Sequence, residues 1–236
     1  MKFTQNFLSG SKKGLAIALG YIPIAITFGL IANSSNIPGH ITIMMSLLVF
    51  AGASQFIAVN LLKLGTGAWG IIITTFIVNL RHFLMSASIS QRIKHKVPKK
   101  WMPLLAFGIT DETFSFISLS PKEKLNTGFI LGINTIAYSA WVLGTIAGIY
   151  LGKGLPEIMQ DSMGIALYAM FIGLLLPNIK KHRIILIISL LTVGVSSFLY
   201  WNSLISIPKS WQIIITTILA SIIGAVLFPE EVDEIE

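Results

Sequence analysis

Cysteine is absent from this 236-residue chain, which excludes disulfides, thiolate metal sites and thiol catalysis. Charge is nearly as scarce. Only 11% of residues are Asp, Glu, Lys or Arg, against about 25% in soluble domains. So little charge cannot clothe a water-facing surface, and the outside of the fold must meet something apolar. The deficit is also concentrated. No Lys, Arg, Asp or Glu occurs between Lys13 and Lys63, from Leu125 to Gly152, from Ile184 to Pro208, or from Ser210 to Pro229. Catalytic signatures are missing too: there is no HExxH, no glycine-rich phosphate loop and no Walker lysine.

What is present is apolar sequence in long runs, 54% hydrophobic overall. A bilayer core of roughly 30 Å takes about 20 residues at helical rise, and each charge-free stretch holds at least one such span. Backbone groups in hydrocarbon must satisfy one another within a helix or a closed barrel. A barrel strand alternates polar and apolar residues, and runs such as Ile184-Ile185-Leu186-Ile187-Ile188 do not. The expected fold is all-α: one polytopic transmembrane helix bundle over residues 1–236, in contact with lipid throughout. Eight hydrophobic segments are predicted, near 14–33, 41–62, 68–89, 101–119, 127–151, 162–177, 184–200 and 211–228. Trp69, Trp101, Trp201 and Trp211 fall near segment ends, as an aromatic belt would place them. Pro23 predicts a kink in the first segment. That segment is too long for a signal-peptide core and lacks a small-residue cleavage site.

The net charge of +7 is not a nucleic-acid footprint. Its cations sit in short connectors (Lys12 and Lys13; Arg92, Lys94, Lys96, Lys99 and Lys100; Lys180, Lys181 and Arg183), the pattern of cytoplasmic loops. The acidic tail from Glu230 to Glu236 reads as a solvated end. Eight full spans would put the basic 90–100 loop outside. If 41–62 and 101–119 instead enter the membrane and return, all three basic connectors lie on one side and Glu157 and Asp161 on the other. Both segments carry an interruption: Ala51-Gly52-Ala53-Ser54-Gln55 in one, Thr110-Asp111-Glu112-Thr113 in the other. Six full spans plus two discontinuous, re-entrant segments is the preferred topology, with seven or eight plain spans as its rival. Irregular backbone at membrane depth is tolerated where it lines a cavity, and transporters bind substrate there.

Asp111 and Glu112 are the sharpest functional signal. A charge at the bilayer centre costs about 2.5–3.5 kcal/mol on insertion scales, so two adjacent carboxylates need partners or protons. The plain alternative is a structural pair with Arg81. Asn79, His82 and Ser86 share one helical face, with Arg81 turned away from it. Arg81 could neutralise Asp111, bind a substrate carboxylate, or snorkel toward the basic loop. His82 lacks a second His or Cys at ligand spacing, so metal binding is not expected, and a proton relay is the functional option. Gly52, Ser54 and Gln55 could expose backbone and amide to a substrate, or could simply pack helices. Gly144, Gly148 and Gly152 repeat every four residues, which is most simply a packing groove. No cofactor is implied. A Ser54–His82–Asp111 hydrolase is the weakest option, because Phe56 stands where a G-x-S-x-G elbow needs glycine.

Taken together, several elements resemble the AzlC-like family, the large subunits of azaleucine-resistance, branched-chain amino acid permeases. They are Gly20-Tyr21-Ile22-Pro23 with Phe28-Gly29, Met45-Ser46 leading to Phe50-Ala51-Gly52-Ala53-Ser54-Gln55-Phe56, Asn79-Leu80-Arg81-His82, Thr110-Asp111-Glu112, Trp141-x-x-Gly144-Thr145-x-x-Gly148 and Ala169-Met170-Phe171. The resemblance implies a secondary exporter of branched-chain amino acids, in some members also methionine, in a bacterial plasma membrane. It also implies a separate AzlD-like subunit of about four spans. One departure is Leu84-Met85, where a Tyr is more usual after Asn-Leu-Arg-His; another is the lack of an acidic residue nearer to Gly164 than Asp161. The physical task is then to hold a zwitterion: N–H donors near Gly52–Ser54 or Arg81 for the carboxylate, Asp111 for the ammonium, and Phe50, Phe56 or Phe83 around the side chain. Proton exchange at Asp111 or Glu112 would couple transport to the gradient. A passive channel or an assembly subunit without its own cycle is the rival of another class.

Overall fold

The computed structural model describes residues 3–152, 183–201 and 209–228, with isolated positions from 172 to 180. The expected segment 162–177, the Glu157/Asp161 connector and the acidic tail lie outside the described residues, apart from those isolated positions. All regular structure among the described residues is helical. The helices are α1 (Phe3–Ser34), α2 (Gly39–Leu48), α3 (Gly52–Lys63), α4 (Ala68–Ile93), α5 (Met102–Phe107), α6 (Asp111–Ser118), α7 (Thr127–Gly152), α8 (Arg183–Trp201) and α9 (Lys209–Leu227). Four of them, α1, α4, α7 and α8, are long and apolar enough to cross a membrane. The first begins eleven residues ahead of the expected segment and carries Lys12 and Lys13 in its opening turns. It runs through Pro23 without interruption, and the Thr27 hydroxyl donates to the Pro23 carbonyl at 2.9 Å.

The axis of the fold is the α1/α7 pair, and its small residues set the geometry. Gly10 lies on the backbone of Phe129, Gly14 on Ile133, Gly144 on Ile22 and Ala25, and Gly148 on Ile26. Position rises with position along both helices, so α1 and α7 run parallel. Small residues permit this backbone approach where lipid offers no hydrophobic drive to associate. The expected packing role of Gly144 and Gly148 is what the contacts show; the side-chain surroundings of position 152 are not described.

Levels along α7 fix the course of the rest. Gly39 sits by Ile149, Ser46 bonds Thr145 at 2.8 Å, and the Leu47 carbonyl accepts from the Tyr138 hydroxyl at 2.9 Å. So α2 descends from the far end to mid-depth. After a break at Val49–Ala51, Gly52 and Gln55 lie against Trp141, and Phe56 packs on Phe28 at 5.4 Å between ring centroids. Phe28 adjoins Gly29, which faces Thr145 and Gly148, so α3 climbs back to the end where α2 entered. At 1.5 Å per residue α2 and α3 are about 15 and 18 Å long, half a bilayer each. Asn36 (φ 58°) and Gly65 (φ 68°) adopt left-handed conformations in the turns at that end.

Next, α4 returns to the starting end, about 39 Å away at helical rise. There Arg92 donates to the carbonyls of Ile117, Ser118 and Ser120 at 2.6–3.2 Å. The second hairpin enters from this side. The Leu105 carbonyl accepts from Asn134 Nδ2 at 3.0 Å, and Phe107 packs on Tyr138. After the break at 108–110, α6 leads back to the carbonyls that Arg92 holds. Both discontinuous segments are therefore re-entrant, from opposite faces, and Phe50 on one tip meets Phe107 on the other at 6.5 Å. The order span then hairpin occurs twice, α1 with α2/α3 and α4 with α5/α6, in opposite directions, the inverted arrangement common among transporters. Lys12, Lys13, Arg92, Lys94, Lys96, Lys99, Lys100, Lys122 and Lys124 all fall at the end where α1 starts. Lys63 is at the other. Beyond this unit, α8 and α9 pack together and α9 leans on α4.

Candidate functional site

The two hairpin tips, α1, α4 and α7 enclose a small cavity of about 30 Å³, room for a water molecule or two, so a larger ligand requires the tips to part. Tyr21, Ile24, Phe50, Gly52, Ala53, Trp141 and Thr110 line it together with Arg81, His82, Asp111 and Glu112. Five of the eight residues singled out in the sequence thus meet in one place: Gly52, Arg81, His82, Asp111 and Glu112. Ser54, Gln55 and Asn79 do not line the cavity.

Local sequence explains the tips. Thr110 is the N-cap of α6: its Oγ1 accepts from the Thr113 amide at 3.3 Å, while its own amide donates to Thr113 Oγ1 at 2.7 Å. This reciprocal box stops α5 from continuing and presents Asp111 and Glu112 in the first turn, where helix polarity favours anions. The other tip is built the opposite way. The α3 N-terminus has no side-chain cap and no acidic residue, so Gly52 and Ala53 bring amides without intrahelical acceptors to the cavity wall. Glycine is required at 52 because a Cβ would lie 2.6 Å from the Trp141 ring.

Asp111 and Glu112 have different partners. Arg81 Nη1 and Asp111 Oδ2 form an ion pair at 2.8 Å, with the two side chains 37% and 33% exposed. That contact is the neutralising option among the three open for Arg81. Glu112 instead accepts a hydrogen bond from the hydroxyl of buried Tyr21, which also lies 2.6 Å from Thr110 Oγ1. The face shared by Asn79, His82 and Ser86 is divided. His82 lines the cavity beside Arg81, Asn79 Oδ1 accepts from the buried Ser54 hydroxyl at 2.5 Å, and Ser86 lies in a groove with Phe83 and Ser90. The three positions lie within about 60° of one another around the helix but are spread over about 10 Å along it, so each meets a different neighbour. Ser54 therefore does not join His82 and Asp111 as a nucleophile would.

Gln55 is a brace. Its Oε1 accepts from the Trp141 indole at 2.7 Å, and its Nε2 donates to the Val49 carbonyl at 2.9 Å and weakly to Ser46 Oγ at 3.4 Å. One amide thus closes the broken α2/α3 backbone and ties it to α7. We expect Gln55→Leu to lower stability by about 1–3 kcal/mol, the cost of leaving buried polar groups unpaired. A fall of several degrees in the detergent melting temperature would register it; an unchanged midpoint would contradict the brace. Of the three aromatic residues expected around a substrate side chain, Phe50 lines the cavity, Phe56 is buried against Phe28, and Phe83 is 72% exposed on α4. Tyr21, Ile24, Ala53, Thr110 and Trp141 were not foreseen as lining residues.

Comparison with known proteins adds the lineage of this architecture. The AzlC protein family model matches residues 16–155. The chain belongs to the AzlC family. The matched stretch covers most of α1 and everything through α7, and so holds every residue lining the cavity. The chain is 30% identical over 186 residues to the inner membrane protein YgaZ of Escherichia coli, covering 76% of each protein. It is 35% identical over 180 residues to a membrane protein of Archaeoglobus fulgidus, covering 75% of this chain and 78% of that one. To the branched-chain amino acid transport protein AzlC of Bacillus subtilis it is 24% identical over 179 residues, covering 75% and 69%. No solved structure matches it. An AzlC-family chain with these helices is a multi-pass membrane protein with a transport-related role.

Proposed function

We propose that this chain is the large subunit of a two-component secondary transporter that exports branched-chain amino acids, and methionine, across a bacterial plasma membrane, driven by the proton gradient. The observation that carries the reading is the mid-depth cavity between two opposed hairpin tips, one presenting uncapped helix amides and the other acidic. A zwitterion fits that polarity. Its carboxylate would meet the uncapped amides of Gly52 and Ala53 with Arg81 nearby. Its ammonium would meet the acidic turn of α6, and its aliphatic side chain the wall of Ile24, Phe50 and Trp141. The inverted order of spans and hairpins supports alternating access, in which one half rocks against the other around a fixed site. The Bacillus subtilis relative, named as a branched-chain amino acid transport protein, supports the substrate class.

The partner is a small AzlD-like membrane subunit of about four spans. The broad face of α4, with Trp69, Phe76, Phe83 and Leu84 all more than 60% exposed, leaves room beside the core for lipid or a further helix layer. The deciding experiment is counterflow in proteoliposomes containing the full chain and its small subunit. Vesicles preloaded with leucine should accelerate entry of labelled leucine; a passive channel would not, and no leucine movement at all would sink the transport reading.

The clustered cations support a cytoplasmic location for the end carrying Lys12, Lys94 and Lys122. A single cysteine at position 95 or 122 should resist an impermeant maleimide applied to intact cells, whereas one at position 67, where a Cβ meets nothing within 4 Å, should label. The chain has no native cysteine, so the assay has no background from it. Strong external labelling at 95 would reverse the assignment.

A further inference from the structure

We infer that Glu112, and not Asp111, is the group at which a proton and the substrate's ammonium compete, so that binding one expels the other. The inference rests on the amino-acid transport reading above and names the coupling residue within that site.

The two carboxylates are neighbours in sequence but opposites in circumstance. Asp111 is held by Arg81 at 2.8 Å. A guanidinium does not give up its proton in a protein, so the charge of Asp111 is matched in every state. A substrate ammonium reaching Asp111 would meet a carboxylate whose charge Arg81 already compensates. Glu112 faces the same cavity, yet among the described residues no Lys, Arg or His lies within ion-pair distance of it. Its polar partner is the Tyr21 hydroxyl.

That partner suits a group that changes charge. A phenol both donates and accepts. When Glu112 is ionised, Tyr21 donates to it and can accept from Thr110 Oγ1, 2.6 Å away. When Glu112 carries a proton, it donates to Tyr21, Tyr21 turns its own hydrogen to Thr110 Oγ1, and Thr110 in turn has Thr113 Oγ1 at 3.3 Å. Each state leaves every hydroxyl hydrogen with an acceptor, and the switch needs only hydroxyl rotations. Asp111 has no such relay.

The groups facing Glu112 come from every element packed around the cavity. The first helix supplies Tyr21, α4 supplies Arg81 and His82, and α6 supplies Asp111. The α2/α3 tip gives Phe50, Gly52 and Ala53, and α7 gives Trp141, none of them titratable in the working range. With Arg81 and Asp111 cancelling and His82 uncharged, the cavity is neutral when Glu112 is protonated and carries one negative charge when it is not. An incoming ammonium favours the second state. The O–H bond of the Glu112 carboxylic acid breaks, its proton leaves to water on the open side, and the carboxylate accepts from the substrate's N–H. Since one carboxylate holds either cation but not both, each substrate moved one way exchanges for one proton moved the other. That is antiport, and with protons driven inward it runs as export.

The test uses the full chain with its small subunit, L-leucine as probe and a pH-indicator dye. In wild type, leucine binding should release close to one proton per leucine, and an imposed proton gradient should drive leucine accumulation. Glu112→Gln should release none and lose gradient-driven accumulation by more than tenfold, while retaining leucine exchange at a KM raised roughly tenfold. Should that variant fail to accumulate, Glu112→Asp serves instead: it must keep proton release at an altered pH profile, and its loss of release counts against the proposal. Wild-type proton release by Glu112→Gln overturns the assignment, as does loss of release in His82→Gln or Asp111→Asn alongside intact release in Glu112→Gln. Leucine exchange by wild type without any proton release refutes the competition but leaves the transport reading standing. Absence of leucine exchange in wild type refutes both.

Discussion

Gly148→Leu will leave almost no folded protein in the membrane. A Cβ at this position would fall on the Ile26 carbonyl, with the Ile26 Cα only 3.0 Å away. The obstacle is backbone, so no rotamer change in a neighbour can make space. The two long helices would have to separate, and with them the platform for both hairpins, since Tyr21 holds the α6 tip while Trp141, Asn134 and Tyr138 hold α2/α3 and α5. Ordinary overpacking costs about 1–3 kcal/mol, and a clash between two main chains exceeds that because relief requires moving a whole helix. Fluorescence-detected size exclusion should show loss of the monodisperse peak. Gly20→Ala is the matched control: the same helix, but an open direction with nothing within 4 Å of the new Cβ. A monodisperse Gly148→Leu protein at wild-type abundance would mean that the parallel α1/α7 pair is not the axis of the fold.

Much of this architecture was legible in the sequence because membrane helices announce themselves by what they exclude. The breaks near Ala51–Gln55 and Thr110–Thr113 were legible for the same reason: small residues in one, adjacent carboxylates in the other, each out of place in a continuous span. Their re-entrant course is the preferred reading because it gathers Lys12, the 90–100 loop and the 180–183 connector on one side, with seven or eight plain spans as its rival. Side-chain roles were less legible. Tyr21 sits in an apolar helix, and its partners lie 89 and 91 residues away; nothing local marks its hydroxyl as part of the site. Gln55 read equally well as ligand or brace, because an amide satisfies itself with whatever the fold delivers, and here the fold delivers Trp141 and Val49. Arg81 had three possible destinations within its reach. Only the packing of the second hairpin selects among them.

The second large effect is expected at the Arg81–Asp111 pair. Asp111→Asn removes the anion and leaves a guanidinium in the middle of the bundle, its Nε already buried without a partner. Breaking one side of a fully buried pair costs about 3–5 kcal/mol. Here both side chains are about one-third exposed to the cavity, so screening reduces the expected loss to about 1–3 kcal/mol. Abundance and detergent melting temperature should both fall, and Arg81→Gln should do the same by stranding Asp111. The double variant Arg81→Gln/Asp111→Asn carries no unmatched charge and should regain most of the lost stability, while transport remains impaired because the cavity has lost its fixed dipole. The coupling energy from this double-mutant cycle separates a structural pair from two independent site residues. Additive losses would show that Arg81 and Asp111 do not depend on each other. Full stability in Asp111→Asn with proton coupling alone abolished would return the coupling role to Asp111 and take it from Glu112.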